Sequence, residues 1–124
     1  MKAIGLLRWC SGLGASGVVS GAFAAHGLKN IVSPDMVAVW DTAVRYQFYH
    51  VFFLLVVFLL QQQHESVWLN RAAKTVIAGI FCFSGSLYLM VITGVHWLGP
   101  ITPIGGLLFI LGWLMLIPAF RRLA

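Results

Sequence analysis

The sequence contains very few charged residues. Only 9% of its 124 residues are Asp, Glu, Lys or Arg, and only three are acidic, whereas about 25% is typical of a soluble domain. Apolar residues make up 60%, and the mean hydropathy is +0.94. A soluble globule of this size needs polar side chains over much of its surface. The composition therefore excludes a disordered chain, a nucleic-acid-binding domain and an ordinary soluble enzyme, and it favours a polytopic membrane protein.

Cysteine is also scarce, and basic residues are not clustered. Cys10 and Cys82 lie in different apolar runs, so they form neither a metal-ligand spacing nor a disulfide framework. The formal charge is +5, but the eight Lys and Arg residues sit at the ends of apolar runs rather than in a stripe. This distribution indicates the charge bias of a membrane protein, not a nucleic-acid surface.

The sequence does contain long apolar runs. We predict an all-α, four-helix transmembrane bundle that forms one domain over residues 1–124, with spans at about 9–28, 42–61, 75–97 and 101–120. Residues 22–24 (AFA) fit a signal-peptide cleavage pattern, but the first run is long and poor in Leu, so we expect it to be retained. In the second run only residues 51–60 are purely apolar, which leaves a re-entrant or interfacial segment as the alternative.

The connectors predict the orientation. The N-terminus, the second connector and the C-terminus together carry six basic residues, whereas the first and third connectors carry two. The six are Lys2, Arg8, Arg71, Lys74, Arg121 and Arg122. Because basic residues accumulate on the cytoplasmic side, both termini are expected there. We expect a multi-pass protein of the bacterial inner membrane, or of the mitochondrial inner membrane if the source is eukaryotic.

The second span has a clear helix start. Ser33 can cap the helix, Pro34 suits its first turn, and Asp35 lies near the positive end of the helix dipole. Nothing interrupts the pattern before residues 61–63 (QQQ), so we predict one helix from Pro34 to about Gln62. Asp41 and Arg45 are four residues apart on it and could pair. Residues 96–100 (HWLGP) predict a tight turn before the last span.

Small residues recur at helical spacing in three of the runs. Residues 12–17 (GLGASG) match a dinucleotide-binding pattern, but no strand precedes them, so helix packing is the better interpretation. Small residues at intervals of four allow helix backbones to approach closely in a membrane. The predicted helix-packing residues are Gly12, Ser16, Gly17, Ser20, Gly21, Ala78, Cys82, Gly85, Gly105 and Gly112.

Several polar residues lie deep within the runs. His50 is ten residues before Leu60, or about 15 Å along a helix, which places it near the middle of a core about 30 Å thick. Ser84 reaches a similar depth, and an unsatisfied polar group in hydrocarbon costs several kcal/mol. We therefore predict that one face of the second helix, carrying Gln47 and His50, meets the serines of the third. The candidate intramembrane cluster is Tyr46, Gln47, His50, Ser84, Ser86 and Tyr88.

This cluster allows two interpretations. A buried ionisable residue in a span is a candidate functional site, but a neutral, hydrogen-bonded clamp between helices is the interpretation we favour. A proton relay is disfavoured because Asp35, Asp41 and Glu65, the only acids, are not deep. His26 and His96 are candidate polar residues of the outer surface and lack a third metal ligand. We identify no catalytic, cofactor-binding or metal-binding residues, and expect no cofactor and no enzyme activity.

Four blocks of sequence resemble a known family. They are residues 21–28 (GAFAAHGL), 40–50 (WDTAVRYQFYH), 83–88 (FSGSLY), and 102–113, which begins TPIGG and ends GW. In this order they resemble the YgdD-type family, small bacterial inner-membrane proteins of unknown function with a small mitochondrial transmembrane relative in eukaryotes. The resemblance implies a four-helix membrane domain, and it implies no activity, substrate or cofactor.

The sequence leaves two candidate functions. The first is a non-catalytic packing, assembly or accessory protein that offers a smooth helix face to a partner or to a second copy. The alternative is an oligomeric small-solute or proton-coupled transporter that uses the intramembrane cluster. The expected partners are the lipid bilayer and either further copies of the chain or a larger membrane complex. Nucleic acid is not an expected partner.

Overall fold

The computed structural model describes residues 2–120, and this part of the chain is helical with no strand. Residues Arg121 and Arg122, which contribute to the predicted charge asymmetry, lie outside it. The six α-helices are α1 (Ala3–His26), α2 (Pro34–Gln63), α3 (Val67–Ile80), α4 (Ser86–Thr93), α5 (Ile101–Leu114) and α6 (Leu116–Ala119). One π-helical turn, Phe81–Gly85, joins α3 to α4, and short 3-10 turns occupy Leu28–Asn30 and His96–Leu98.

Three helical segments of the described chain are long and apolar enough to cross a membrane. They are Pro34–Gln63, Val67–Thr93 and His96–Ala119. The helix α1 has 24 residues, enough to span a bilayer by length, but its many glycine and serine residues dilute its hydropathy. The structure therefore establishes an all-helical fold with three candidate spans within residues 2–120.

The long second helix is confirmed. Ser33 Oγ accepts a hydrogen bond from the Met36 amide at 3.3 Å, and α2 then continues for 30 residues without a break. A re-entrant segment requires a reversal of the chain, which an unbroken helix lacks, so the re-entrant alternative is wrong and the interfacial alternative stays a prediction. The predicted pairing of Asp41 with Arg45 is also wrong, since no ion pair links these two exposed side chains.

The later helices differ from the predicted spans at their ends. The third span consists of α3, the π-helical turn and α4. It begins at Val67, because the Ser66 side chain caps it by accepting a hydrogen bond from the Trp68 amide. It ends at Thr93 rather than near residue 97, because Gly94 adopts the left-handed conformation with φ of 71°. The last helix breaks at Met115. Pro118 accounts for this break, because it has no N–H to donate to the carbonyl of Leu114, four residues earlier.

The helices pack in the order of the chain. α1 packs against α2, α2 packs against α3 and α4, and α5 packs against α3 and the π-helical turn. Two apolar clusters result. The larger includes Leu6, Leu54 and Val76, and the smaller, toward the other end of α2, is formed by Ala24, Leu28, Trp40 and Val91. The polar residues of α2 lie between them along the helix.

Glycines allow α5 to approach α3 and the π-helical turn very closely. A Cβ atom at Gly105 would collide with the backbone of Phe83, and one at Gly112 would collide with the Val76 side chain. A Cβ at Gly79 would lie 2.7 Å from Cδ1 of Phe109. The lack of side chains at these positions lets the backbones come together where burial of apolar surface provides little drive.

Candidate functional site: a polar cluster between the helices

One face of α2 carries the candidate cluster. Ala43, Gln47, His50 and Leu54 recur every three or four residues and are all buried, with at most 4% of any of them exposed. This confirms that the four share a face directed into the protein. Gln47 and His50 are polar, so each needs hydrogen-bond partners at that depth.

Gln47 connects three helices. Its Nε2 donates to the carbonyl of Leu13 at 2.7 Å and to Oγ of Ser16 at 3.0 Å, both on α1. Its Oε1 accepts from the hydroxyl of Tyr88 on α4 at 2.7 Å. Both amide hydrogens and the amide oxygen are therefore engaged within the chain. A single side chain thus ties α1, α2 and α4 together at the middle of the protein.

Ser84 supplies a second link to α2. Its hydroxyl donates to the carbonyl of Ala43 at 2.7 Å, and only 1% of the residue is exposed. Ser84 belongs to the π-helical turn, a feature that is frequent at functional sites because it redirects side chains and backbone groups. The same turn carries Phe83, whose backbone faces Gly105. One irregular turn therefore contacts both α2 and α5.

Ser86 does not join the groups on α2. Its hydroxyl lies 2.6 Å from Oγ1 of Thr102 at the start of α5, and it also donates to the carbonyl of Phe83 at 2.9 Å. The structure thus separates the two serines. Ser84 points to α2, whereas Ser86 forms a hydroxyl pair that fastens α4 to α5.

His50 has different partners from those expected. Its Nδ1 lies 2.7 Å from the carbonyl of Tyr46, and its Nε2 accepts from the indole N–H of Trp113 on α5 at 3.1 Å. The expectation that serine hydroxyls on the third helix satisfy His50 is therefore wrong. The glycines of α5 allow it to lie close to its neighbours. This places the indole of Trp113, rather than a serine hydroxyl, within hydrogen-bond distance of the imidazole.

The hydrogen bonds define the state of the imidazole. An indole can only donate, so Nε2 must be the acceptor and Nδ1 must carry the hydrogen that goes to the Tyr46 carbonyl. The ring also stacks on Phe109, with centroids 3.5 Å apart and planes 8° apart. His50 is thus a neutral imidazole held on both nitrogens and on one face.

Tyr46 contributes through its backbone and its ring. Its carbonyl accepts from His50, and its ring lies 4.7 Å from that of Phe83. The Tyr46 side chain is 38% exposed, so its hydroxyl lies outside the buried network. The candidate cluster therefore resolves into a core of Gln47, Tyr88, Ser84 and His50, with Tyr46 at its edge.

The predicted helix-packing residues divide into two sets. Gly17 faces Phe48, Gly21 faces Val44, Ser16 bonds to Gln47, and the Ser20 carbonyl accepts from the indole of Trp40 at 2.8 Å. Gly105 contacts Phe83, and Gly112 contacts Val76. By contrast, Gly12 and Ala78 are exposed, no neighbouring atom lies within 4 Å of a Cβ built at Gly12 or Gly85, and Cys82 is half-buried.

Two important residues were missed from the sequence. Gly79 was not recognised as a packing residue, although it receives Phe109. Trp113 was noted only within a resemblance block, although it satisfies His50. Its depth, about 18 Å along α5 from Ile101, was a usable signal, because an indole N–H that deep in a span needs an acceptor.

The histidines at the ends of the helices are not part of this cluster. His26 ends α1 and His96 begins a 3-10 turn, and both are exposed. Within residues 2–120 no group of three or more His, Cys, Asp or Glu side chains is placed to hold a metal ion. The three acids are exposed as well, so no carboxylate faces His50.

A groove opens beside His50. It has a volume of about 830 Å³ and runs between α2 and α5, with His50, Phe83 and Phe109 at its base. Its rim includes Tyr49, Leu107 and Trp113, each half or more exposed. These residues lie within the candidate membrane spans Pro34–Gln63, Val67–Thr93 and His96–Ala119.

The fold and the cluster together define a class, an all-helical integral membrane protein with a buried polar network. Comparison with known sequences adds the family. Residues 20–106 match the family described as "Protein of unknown function (DUF423)", and the chain belongs to this family.

Individual relatives agree with this assignment. The chain is 47% identical over 107 residues to a UPF0382 membrane protein of Staphylococcus aureus, covering 86% of this chain and 87% of the relative. It is 39% identical over 120 residues to the UPF0382 membrane protein YwdK of Bacillus subtilis, covering 96% of each. No solved structure matches the chain. These relatives are named as bacterial membrane proteins, which agrees with the membrane class that the sequence predicts.

Proposed function

We propose that this protein is a non-catalytic packing, assembly or accessory protein of the bacterial inner membrane. The observation that carries the proposal is the engagement of the deep polar side chains by backbone carbonyls and by neighbouring side chains of the same chain. Gln47 uses both amide hydrogens and its oxygen, Ser84 bonds to α2, and both nitrogens of His50 are occupied. Every hydrogen-bond donor of these three side chains is thus engaged within the chain, and none is free for a solute or a reacting atom.

An exposed face of α1 supports the assembly role. Gly12, Ala15 and Ala22 lie three or seven residues apart, which places them on one side of the helix, and all three are exposed. Small residues on an exposed helix face allow the backbone of another helix to approach closely in a membrane. Val19 lies on the same side between Ala15 and Ala22 and is also exposed, so the smooth surface that a partner helix or a second copy of the chain would contact centres on Gly12 and Ala15.

The orientation belongs to the same proposal, with α1 as a fourth span and both termini in the cytoplasm. Lys2 lines one surface depression with residues of the α2–α3 connector, and Ala119 lines another with the same connector. The N-terminus, this connector and α6 thus share one end, where Arg71 and Lys74 are also exposed. The positive-inside bias favours the cytoplasm for that end. The YgdD-type resemblance supports the inner membrane, with the mitochondrial inner membrane as the eukaryotic equivalent.

The size of the native particle tests the assembly role. The protein is extracted from its own membrane in mild detergent, and the mass of the particle and its components are measured. We expect a particle larger than one chain, which the pair Gly12→Leu and Ala15→Leu dissociates. Ala78→Leu, an exposed small residue on α3, is the matched control and should leave the particle intact. A monomer that retains no other protein would contradict the proposal.

The groove beside His50 favours a second candidate, an oligomeric small-solute or proton-coupled transporter. The groove gives a membrane-dissolved molecule a route to the imidazole, and a transport path would need more than one copy because four helices fill their own core. Vesicles containing the purified protein and an internal pH-sensitive dye test this candidate. A proton flux that His50→Ala abolishes would favour it, whereas vesicles no leakier than protein-free ones would favour the accessory role.

A further inference from the structure

The groove between α2 and α5 has the dimensions of half a bilayer. Its lining on α5 runs from Pro103 to Trp113, ten residues or about 15 Å along the helix. Half of a hydrocarbon core about 30 Å thick is also about 15 Å. Since Pro103 is two residues from the start of α5, the groove begins at the end where α5 enters the membrane and stops near its middle. A groove of this length matches the acyl chain of a lipid in one leaflet.

The chemistry of the groove changes along its length. Phe83, Phe109 and Ile110 provide apolar walls. On α2, Tyr49 lies beside His50 and Tyr46 lies one turn nearer the surface, and both side chains lean toward the N-terminal, surface end of the helix. Their hydroxyls form no hydrogen bond with other residues of the described chain. Apolar walls with two hydroxyls directed toward the surface suit the acyl chain and the polar ester region of a lipid.

A cation lies on α2 next to two residues that line the groove, although it does not line the groove itself. Arg45 is exposed, forms no ion pair, immediately precedes Tyr46 and lies one helical turn from Tyr49. Asp41, the nearest acid along α2, is one turn further toward the surface. The long side chain of Arg45 can reach the headgroup region while its helix position remains in hydrocarbon. A guanidinium binds phosphate oxygens through well-directed hydrogen bonds.

From these observations we infer that the groove is a binding site for one anionic glycerophospholipid, whose phosphate contacts Arg45 and whose acyl chain lies along Phe83 and Phe109. The tyrosine hydroxyls donate to the ester or phosphate oxygens of the lipid. The lipid covers the exposed part of Trp113 without requiring its indole to break the hydrogen bond to His50. The inference goes beyond the proposed function, because the lipid site is the same in an accessory protein and in a carrier.

Gly106 gives a clean way to block the groove. It lines the groove, and a Cβ added there meets no atom within 4 Å, so a larger side chain enters the groove rather than a packed interface. Native mass spectrometry of the intact protein, offered dioleoyl phosphatidylglycerol or dioleoyl phosphatidylcholine, measures the lipid that stays bound. We expect one retained phosphatidylglycerol per chain, about fivefold preferred over phosphatidylcholine, the contribution typical of one basic residue near a membrane surface.

The variants separate the parts of the inference. Gly106→Leu should lose the retained lipid, whereas Ala78→Leu, outside the groove, should keep it. Arg45→Gln should bind both lipids equally. Equal retention by Gly106→Leu and Ala78→Leu, or equal binding of the two lipids by the unmodified protein, would overturn the inference.

A second measurement does not depend on Gly106→Leu folding. Spin-labelled phosphatidylglycerol in vesicles should show a larger motionally restricted fraction than spin-labelled phosphatidylcholine, and Arg45→Gln should remove the difference. An unchanged difference in Arg45→Gln would also overturn the inference. Neither result depends on the oligomeric particle or the proton flux that tests the proposed function.

Discussion

The indole N–H of Trp113 donates to Nε2 of His50 across 3.1 Å, and this bond joins the last helix to the second. It leaves Nδ1 to donate to the Tyr46 carbonyl. The two residues are 63 positions apart in the chain, so the contact depends on the close approach of α5 to α3 that Gly105 and Gly112 permit. A histidine deep in a span is thereby kept as a hydrogen-bonded structural element.

Replacing Trp113 with Phe should destabilise the protein by removing this donor. Membrane-embedded hydrogen bonds contribute about 0.6 kcal/mol on average and up to about 1.7 kcal/mol. We expect a loss toward the upper end, because Nε2 of His50 is left without a partner. The free energy of unfolding by SDS titration in mixed micelles measures the effect. Trp97→Phe, at a tryptophan that is 71% exposed, is the control and should change it little.

The tautomer provides a check that is independent of stability. Nitrogen NMR of ¹⁵N-histidine-labelled protein in lipid should show His50 with hydrogen on Nδ1 and a bare Nε2. The Trp113→Phe variant should lose the hydrogen-bond contribution to the Nε2 shift. Hydrogen on Nε2 in the unmodified protein would show that the indole does not donate there.

Replacing the adjacent glycines Gly105 and Gly106 of α5 with alanine should have different effects on the free energy of unfolding. A methyl group at Gly105 collides with the Phe83 backbone, whereas at Gly106 it meets open space. We expect Gly105→Ala to cost about 1–3 kcal/mol, the usual penalty of overpacking. Gly106→Ala should be neutral or stabilising by up to about 1 kcal/mol, because alanine favours the helix. The same SDS titration compares them, and equal effects would mean that α5 does not lie against Phe83.

The proposed orientation predicts which side of the membrane each connector reaches. In a variant with Cys10 and Cys82 replaced by Ala, single cysteines are introduced as Asn30→Cys, Glu65→Cys or Lys2→Cys. A membrane-impermeant maleimide applied to intact cells should label the cysteine at 30 and reach those at 65 and 2 only after lysis. Labelling at 2 and 30 from the same side would show that α1 does not cross the membrane.

Local signals predicted much of the fold. Ser33, Pro34 and the absence of any breaker before residue 61 identified α2 nearly to the residue, because capping and helix continuity are properties of neighbouring residues. The depth count identified Gln47, His50 and Ser84 as buried polar groups, since depth along a helix follows from its rise per residue.

The partners of those groups could not be predicted in the same way. Which polar side chain reaches which neighbour depends on the rotation and separation of the helices, and Gly105 and Gly112 set that separation for α5. The π-helical turn, which aims Ser84 at α2 and Ser86 at α5, has no marked signature in residues 81–85 (FCFSG). Trp113 therefore replaced the serines as the partner of His50.

The central claim is that the deep polar groups serve to hold helices together, and the pair of Gln47 and Tyr88 tests it most directly. A double-mutant cycle combines Gln47→Leu, Tyr88→Phe and both changes, with unfolding followed by SDS titration. We predict a coupling energy of about 0.5–1.7 kcal/mol, with the double variant less destabilised than the sum of the single ones. A coupling energy of zero, with each change nearly neutral, would contradict the claim.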